Sequence, residues 1–261
     1  MLLNAQKNMM SWLRLARLGV HVGEGFALGV ASGALFFPHQ PYQQPVIKFW
    51  QKRFCRVLGL KVIVHGTAEK RPALWVSNHI SWLDIPVIGA HFPVHFLSKS
   101  EVASWPVVRH LAKAAGTLYI KRGSGDAQSV SSQMAQHLQA GRSVLFFPEG
   151  TTTNGQSLKR FYHQLFHAAC ITGTDIQPVV LCYTDQQGNL HQIAPFIDDD
   201  ELGEHLFKVL KEKHIQVEVL VLPRVSVHGK NQRMLSAEIK TMMHDALLNL
   251  HRGCVDLKTL I

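Results

Sequence analysis

ALWVSNHISWLDIP, Ala73 to Pro86, changes character twice within a short span. Ala73 to Val76 is apolar and strand-like, Ser77 to His79 is polar, and a helical pattern starts near Ser81. A strand that ends in a polar junction and feeds a helix is the repeating unit of an α/β fold. The junction also carries chemistry, because His79 and Asp84 stand five positions apart. Three uses fit such a pair: a metal site, a Ser–His–Asp relay, or a base for a hydroxyl brought by a substrate. A helix cap beside a satisfied histidine fits as well. On one continuous helix, residues five apart point about 140° away from each other. The two side chains therefore meet only if His79 lies at or before the helix start and Asp84 one turn in. Asp84 then accepts from Nδ1–H and leaves Nε2 as a base.

Working outward, the strand–helix unit recurs. Residues 62–64, 73–78, 95–98, 117–121, 143–147, 176–183 and 217–222 read as strands. Residues 82–90, 107–115, 127–140, 158–171 and 233–250 read as helices, and 198–204 as an acidic loop running into another. The expected fold is α/β, a mixed, largely parallel sheet flanked by helices, over residues 61–261.

Residues 1–60 read differently. Leu18 to Phe37 is about as long as a membrane-crossing helix, but His21 and Glu24 interrupt it and Pro38 ends it. Gly25, Gly29 and Gly33 share one helical face, the spacing that lets helices approach closely. In 46–60, Ile47, Trp50, Phe54 and Val57 form one side of a helix, and Lys48, Lys52 and Arg56 a basic stripe. Aromatic residues opposite a basic face compose an interfacial membrane helix. Basic residues flank the apolar run on both sides, which favours a two-helix insertion from one leaflet with both ends cytoplasmic. The segment is expected to anchor the protein at the cytoplasmic face of the inner membrane; a core hairpin with a solvated basic face is the alternative.

The net charge of +9 suits an anionic membrane or nucleic acid equally, but no nucleic-acid motif accompanies it. The net positive charge concentrates in the apolar N-terminal segment, where Glu24 is the one acidic residue, and there a membrane surface explains it and nucleic acid is not required. Four scattered cysteines form no C-x-x-C pair, which fits a reducing compartment. No H-E-x-x-H pair, P-loop or G-x-S-x-G elbow occurs, so no metal is expected and a protein serine nucleophile is disfavoured. Two further polar clusters follow strands: Lys121-Arg122-Gly123 after TLYI, and Phe147-Pro148-Glu149-Gly150-Thr151 after SVLFF. On a parallel sheet both would join His79 at the carboxyl edge, where ligands collect.

Asn78-His79-x-x-x-x-Asp84, then IKRG, FPEGT and IQPVVL in that order, resemble the glycerolipid acyltransferase family, whose members include the 1-acylglycerol-3-phosphate acyltransferases. The resemblance runs from about Lys61 to Val225. It implies an enzyme in which His79 is the base that deprotonates a lysolipid hydroxyl and Asp84 orients it. The hydroxyl attacks an acyl thioester, with acyl-CoA or acyl carrier protein as co-substrate and no cofactor. By the same resemblance Arg122 faces the acceptor headgroup, and Glu149, Gly150 and Thr151 shape the acceptor site. Pro178 packs near the acyl chain, Lys99 matches a lysine-rich segment, and Asn78, Ser81 and Pro148 support the motifs. Many members that form phosphatidic acid have arginine where this chain has Thr152, and Phe-Lys where it has Phe161-Tyr162. The leading expectation for the acceptor is 1-acylglycerol-3-phosphate; lyso-ornithine lipid or another lysolipid is the alternative. A basic membrane- or nucleic-acid-binding module is the non-enzymatic one.

Overall fold

Leu74 to Ser77 is buried at every position, without the in–out alternation of a half-exposed strand, so this strand must be covered on both faces. A computed structural model supplies the cover; it describes residues 2–99, 106–120, 127–197 and 199–252. Its strands are β1 (Leu60–His65), β2 (Leu74–Ser77), β3 (Val94–Lys99), β4 (Leu118–Ile120), β5 (Ser143–Phe146), β6 (Ile176–Thr184) and β7 (Ile215–Val221). They form one sheet in the order β1-β7-β6-β2-β5-β3-β4. All pairings are parallel except β6 with β7. The expected mixed, largely parallel sheet therefore forms, with the strand that precedes His79 at its centre.

The helices are α1 (Leu2–Ala31), α2 (Gln44–Leu58), α3 (Asp84–Gly89), α4 (Pro106–Ala114), α5 (Ala127–Gln139), α6 (His167–Thr172), α7 (Leu202–Lys211) and α8 (Gln232–His251). Alternate residues of β2 enter opposite cores. Leu74 and Val76 pack with Met134 of α5, Ala168 of α6, and Leu235 and Ile239 of α8. Trp75 packs with Leu58 of α2, Val87 of α3 and Val209 of α7.

Two expected elements differ. Residues 158–171 do not form one helix: a 3-10 turn at His163–Phe166 leads into α6. The preceding loop is held instead by Tyr162 N donating to the Pro148 carbonyl and Lys159 N to Glu149. The apolar run 18–37 is likewise not one helix. α1 starts far earlier and stops at Ala31, where Gly33 turns the chain at φ 68°. Buried Gln43 then closes the turn by donating to the carbonyls of Ser32 and Phe37. Among the described residues no helix is long and apolar enough to cross a membrane.

The N-terminal hairpin is fastened to the sheet. A Cβ on Gly25 would lie 2.7 Å from the Trp50 indole, so this glycine is what lets α1 meet α2. Trp50 Nε1 donates to the His21 carbonyl at 3.0 Å, and Arg53 pairs with Glu24 at 3.1 Å. Arg14 donates to the carbonyls of Leu210, Glu212 and Lys213 at the end of α7. Cys55 and Leu58 of α2 belong to the sheet core itself.

Where the hairpin turn meets the body, His39, His95 and His137 pack ring against ring, with centroids 4.9–5.9 Å apart. Gly116, at φ 76°, leaves room for His39 and His95, both of which a Cβ there would strike. Burial, joined by the other rings and Arg142, lowers the pKa of His95 and His137 from 6.5 to about 4. His39 is shifted the same way. Between about pH 6.5 and 4 the unfolded chain thus binds more protons, and native stability falls as the pH drops through that window. Thermal melts from pH 7 to 4 are expected to show this fall, and His95→Leu to flatten it. An equal slope in both proteins would count against the cluster as its source.

Candidate active site

β2 ends at Ser77, and the next residue continues its pairing by side chain. Asn78 is buried; its Nδ2 donates to the Leu181 carbonyl at 2.9 Å and its Oδ1 accepts from Leu181 N at 2.8 Å. The carboxamide therefore holds the end of β2 to β6 after the backbone ladder has stopped. His79 follows, past the strand and before α3.

Its backbone is gripped from the neighbouring strand. β2 and β5 run parallel with Val76 opposite Phe146, so the segments after them leave the same edge side by side. Glu149 Oε1 accepts from His79 N at 2.9 Å, and the His79 carbonyl accepts from Thr153 N at 2.8 Å. Phe147 stacks on the imidazole, with centroids 3.9 Å apart and planes 11° off parallel. The ring keeps 20% of its side-chain surface exposed.

Asp84 is the first residue of α3 and is fully buried. Its Oδ2 accepts from His79 Nδ1 at 2.7 Å, Ile80 N at 2.8 Å and Ser81 N at 3.1 Å. The turn between them folds His79 back over the helix start, which is how a five-residue spacing closes. Tyr183 OH donates to Oδ1 at 2.7 Å. With backbone amides and a phenol as donors, the carboxylate is the acceptor for the ring, so Nδ1 carries the proton and Nε2 the lone pair. Among the described residues Nε2 has no hydrogen-bond partner.

Glu149, expected to help shape the acceptor site, gives both its oxygens to backbone amides, Oε2 taking Lys159 N at 2.8 Å. Its burial pushes the carboxyl pKa up from 4.5, against the pull of those amides and of His79. Glu149 therefore acts on the site by fixing the His79 backbone. Gly150 turns the chain at φ 70°, and Thr151 stands exposed beside it. The Pro148 carbonyl receives Tyr162 N, and Pro178 lies in β6 opposite Val76. Ser81 is buried, its amide on Asp84 and its hydroxyl without a partner. Arg122 lies outside the described residues; for Lys99 only the backbone is described, at the end of β3. Among the described residues no group of three or more His, Cys, Asp or Glu side chains is arranged to hold a metal ion.

Thr153 and the Phe147 ring lie in or beside the FPEGT stretch, yet their roles are not readable from it. Tyr183 has no sequence signal: it reads as one more apolar strand residue. Asn78→Ala strips both bonds from the buried Leu181 peptide groups and is expected to cost about 2 kcal/mol or more. The loss should appear as a lower urea midpoint at unchanged slope.

Comparison with known proteins meets this geometry. The family model described as Acyltransferase matches residues 61–182. A lyso-ornithine lipid O-acyltransferase of Pseudomonas aeruginosa is 41% identical over 207 residues, covering 79% of this chain and 80% of that protein. A 1-acyl-sn-glycerol-3-phosphate acyltransferase of Neisseria gonorrhoeae is 33% identical over 163 residues, covering 62% and 64%. The crystal structure of a 1-acyl-sn-glycerophosphate acyltransferase from Thermotoga maritima superposes with a TM-score of 0.71 at 17% identity, covering 95% and 97% of the two chains, and so shares the fold. The strand–junction–helix unit at His79, the parallel sheet that carries it and the extent of these matches lead to one conclusion: this chain belongs to the acyltransferase family.

Proposed function

We propose that the protein transfers a fatty acyl chain from an acyl thioester to the free hydroxyl of lyso-ornithine lipid. The observation that carries acyl transfer is His79: its Nδ1 is fixed on Asp84 while Nε2 meets no hydroxyl or thiol among the described residues. The nucleophile must then arrive with a substrate. Nε2 takes the proton of the acceptor hydroxyl, whose oxygen attacks the thioester carbonyl. The tetrahedral intermediate collapses to an ester and expels a thiolate, which the imidazolium protonates. Asp84 stabilises the imidazolium between these steps. The thiol is that of CoA or of an acyl carrier protein.

The acceptor reading rests on the 41% identity to the Pseudomonas aeruginosa protein and on Thr152, which puts no guanidinium at the position directly after Glu149-Gly150-Thr151 for a phosphate monoester. The Neisseria gonorrhoeae relative supports 1-acylglycerol-3-phosphate as a second reading.

The enzyme works from a membrane surface. Met10, Leu13, Val20 and Val30 stand exposed along the outer side of α1, and Phe36, Phe37 and Tyr42 are exposed on the turn that follows. Such a concentration of exposed large apolar side chains, beside the basic α2, suits the headgroup boundary of an anionic leaflet. The basic residues on both sides of the apolar run 18–37, Arg14 and Arg17 before it and Lys48 to Arg56 after it, favour the cytoplasmic leaflet.

Purified protein given an acyl thioester and either acceptor in detergent micelles is expected to form ornithine lipid, with lysophosphatidate near background. The reverse preference selects the second reading, and thioester hydrolysis without acylated lipid removes acyl transfer altogether. His79→Ala is expected to lower turnover about 10²–10⁴-fold with the fold intact. Replacing Phe36 and Phe37 together by Ser should weaken co-sedimentation with anionic vesicles about tenfold or more.

A further inference from the structure

The four donors on Asp84 divide unequally between its oxygens. Oδ2 accepts from His79 Nδ1 and from two backbone amides, whereas the partner of Oδ1 among the described residues is the Tyr183 hydroxyl. We infer that Tyr183 is a positioning residue of the acyl transfer: its hydroxyl keeps Asp84 ionised and unrotated, so that Nδ1 keeps its proton and Nε2 remains the base. The inference rests on the proposed role of His79 and extends it to a residue on the far side of the carboxylate.

Burial makes the hydroxyl consequential. Asp84 has no exposed surface, so both of its oxygens depend on protein donors in place of water. Oδ2 is already crowded by three donors, so Oδ1 is where a proton would land. A neutral Asp84 would no longer stabilise an imidazolium at His79, and if the carboxyl then rotated to present that proton to Nδ1, the ring would carry its own proton on Nε2 and the base would be lost. The phenol occupies Oδ1 with a donor of its own. It also braces the carboxylate against rotation, which would carry Oδ2 off the imidazole.

The fold delivers the phenol there. Val179, Leu181 and Tyr183 alternate along β6 onto the face covered by α2, α3 and α7. The Asn78 carboxamide fixes the end of β2 to Leu181, two residues before Tyr183. The same interaction that sets His79 at the junction therefore sets the phenol beneath the start of α3. Burial, and then the Asp84 charge, keep the Tyr183 pKa well above 10, so the phenol stays a donor throughout any practical assay range. Among the described residues the other ionisable groups that bear on Asp84 or Tyr183 are Glu149, held by its two amides, and Cys55, whose buried thiol is pushed up to about 12.

Tyr183→Phe keeps the ring and removes the donor. In the variant Oδ1 is left unpaired, so the carboxylate protonates more readily, and while ionised it holds an imidazolium more strongly. Both effects move the acid limb of kcat/KM against pH upwards, by about one pH unit for a lost hydrogen bond to a charged group. A thermal melt establishes that the variant is folded. A uniform drop in kcat/KM with the limb unmoved, or no change at all, would reduce Tyr183 to packing and overturn the inference. Nitrogen-15 NMR of the His79 ring, assigned with His79→Ala, reads the same effect without turnover. The ring is expected to titrate about one unit higher in Tyr183→Phe, and equal midpoints would also overturn the inference. Wild-type protein that transfers no acyl group in the same assay would instead remove the reading of His79 on which the inference rests.

Discussion

A buried carboxylate that must remain an acceptor is the constraint around which this molecule is arranged. Asp84 has no contact with water, so every lone pair it presents has to be met by a donor on the protein. Two donors come from the turn before α3, one from the histidine ring and one from β6. None would arrive without the strand–helix junction and the pairing of β2 with β6. The central sheet is thus the frame for one short hydrogen bond between Nδ1 and Oδ2.

The frame is redundant around His79 and spare around the ring itself. The backbone of this residue is held by Glu149 on one side and Thr153 on the other, both from the segment after β5. The ring is stacked on Phe147 and tied at Nδ1. Motion is restricted at every point except Nε2, the atom that would meet a substrate hydroxyl. A base fixed in this way spends little on reorganisation when the reacting hydroxyl arrives.

Much of this was legible as pattern. The strands, the order of the polar junctions and the pairing of His79 with Asp84 all follow from local chemistry, since apolar runs, capping residues and spacing act over a few residues. The helix expected over 158–171 failed because periodicity records apolar content; it does not register that Glu149 and Pro148 bind the loop backbone. The apolar run at 18–37 failed as a single element for a similar reason. Its glycines serve two ends, Gly25 admitting Trp50 and Gly33 ending the helix.

By itself the sequence determined the α/β class and singled out His79 and Asp84 as a pair that meets across a strand–helix junction, because both depend on contacts between near neighbours in the chain. Only the tertiary structure decided what surrounds that pair. Glu149 holds the backbones of His79 and Lys159, and Asn78 extends a strand pairing. Tyr183, without any sequence signal, closes the last open position on Asp84. These roles depend on which strands lie side by side, and that adjacency is set by the packing of two cores on opposite faces of the sheet.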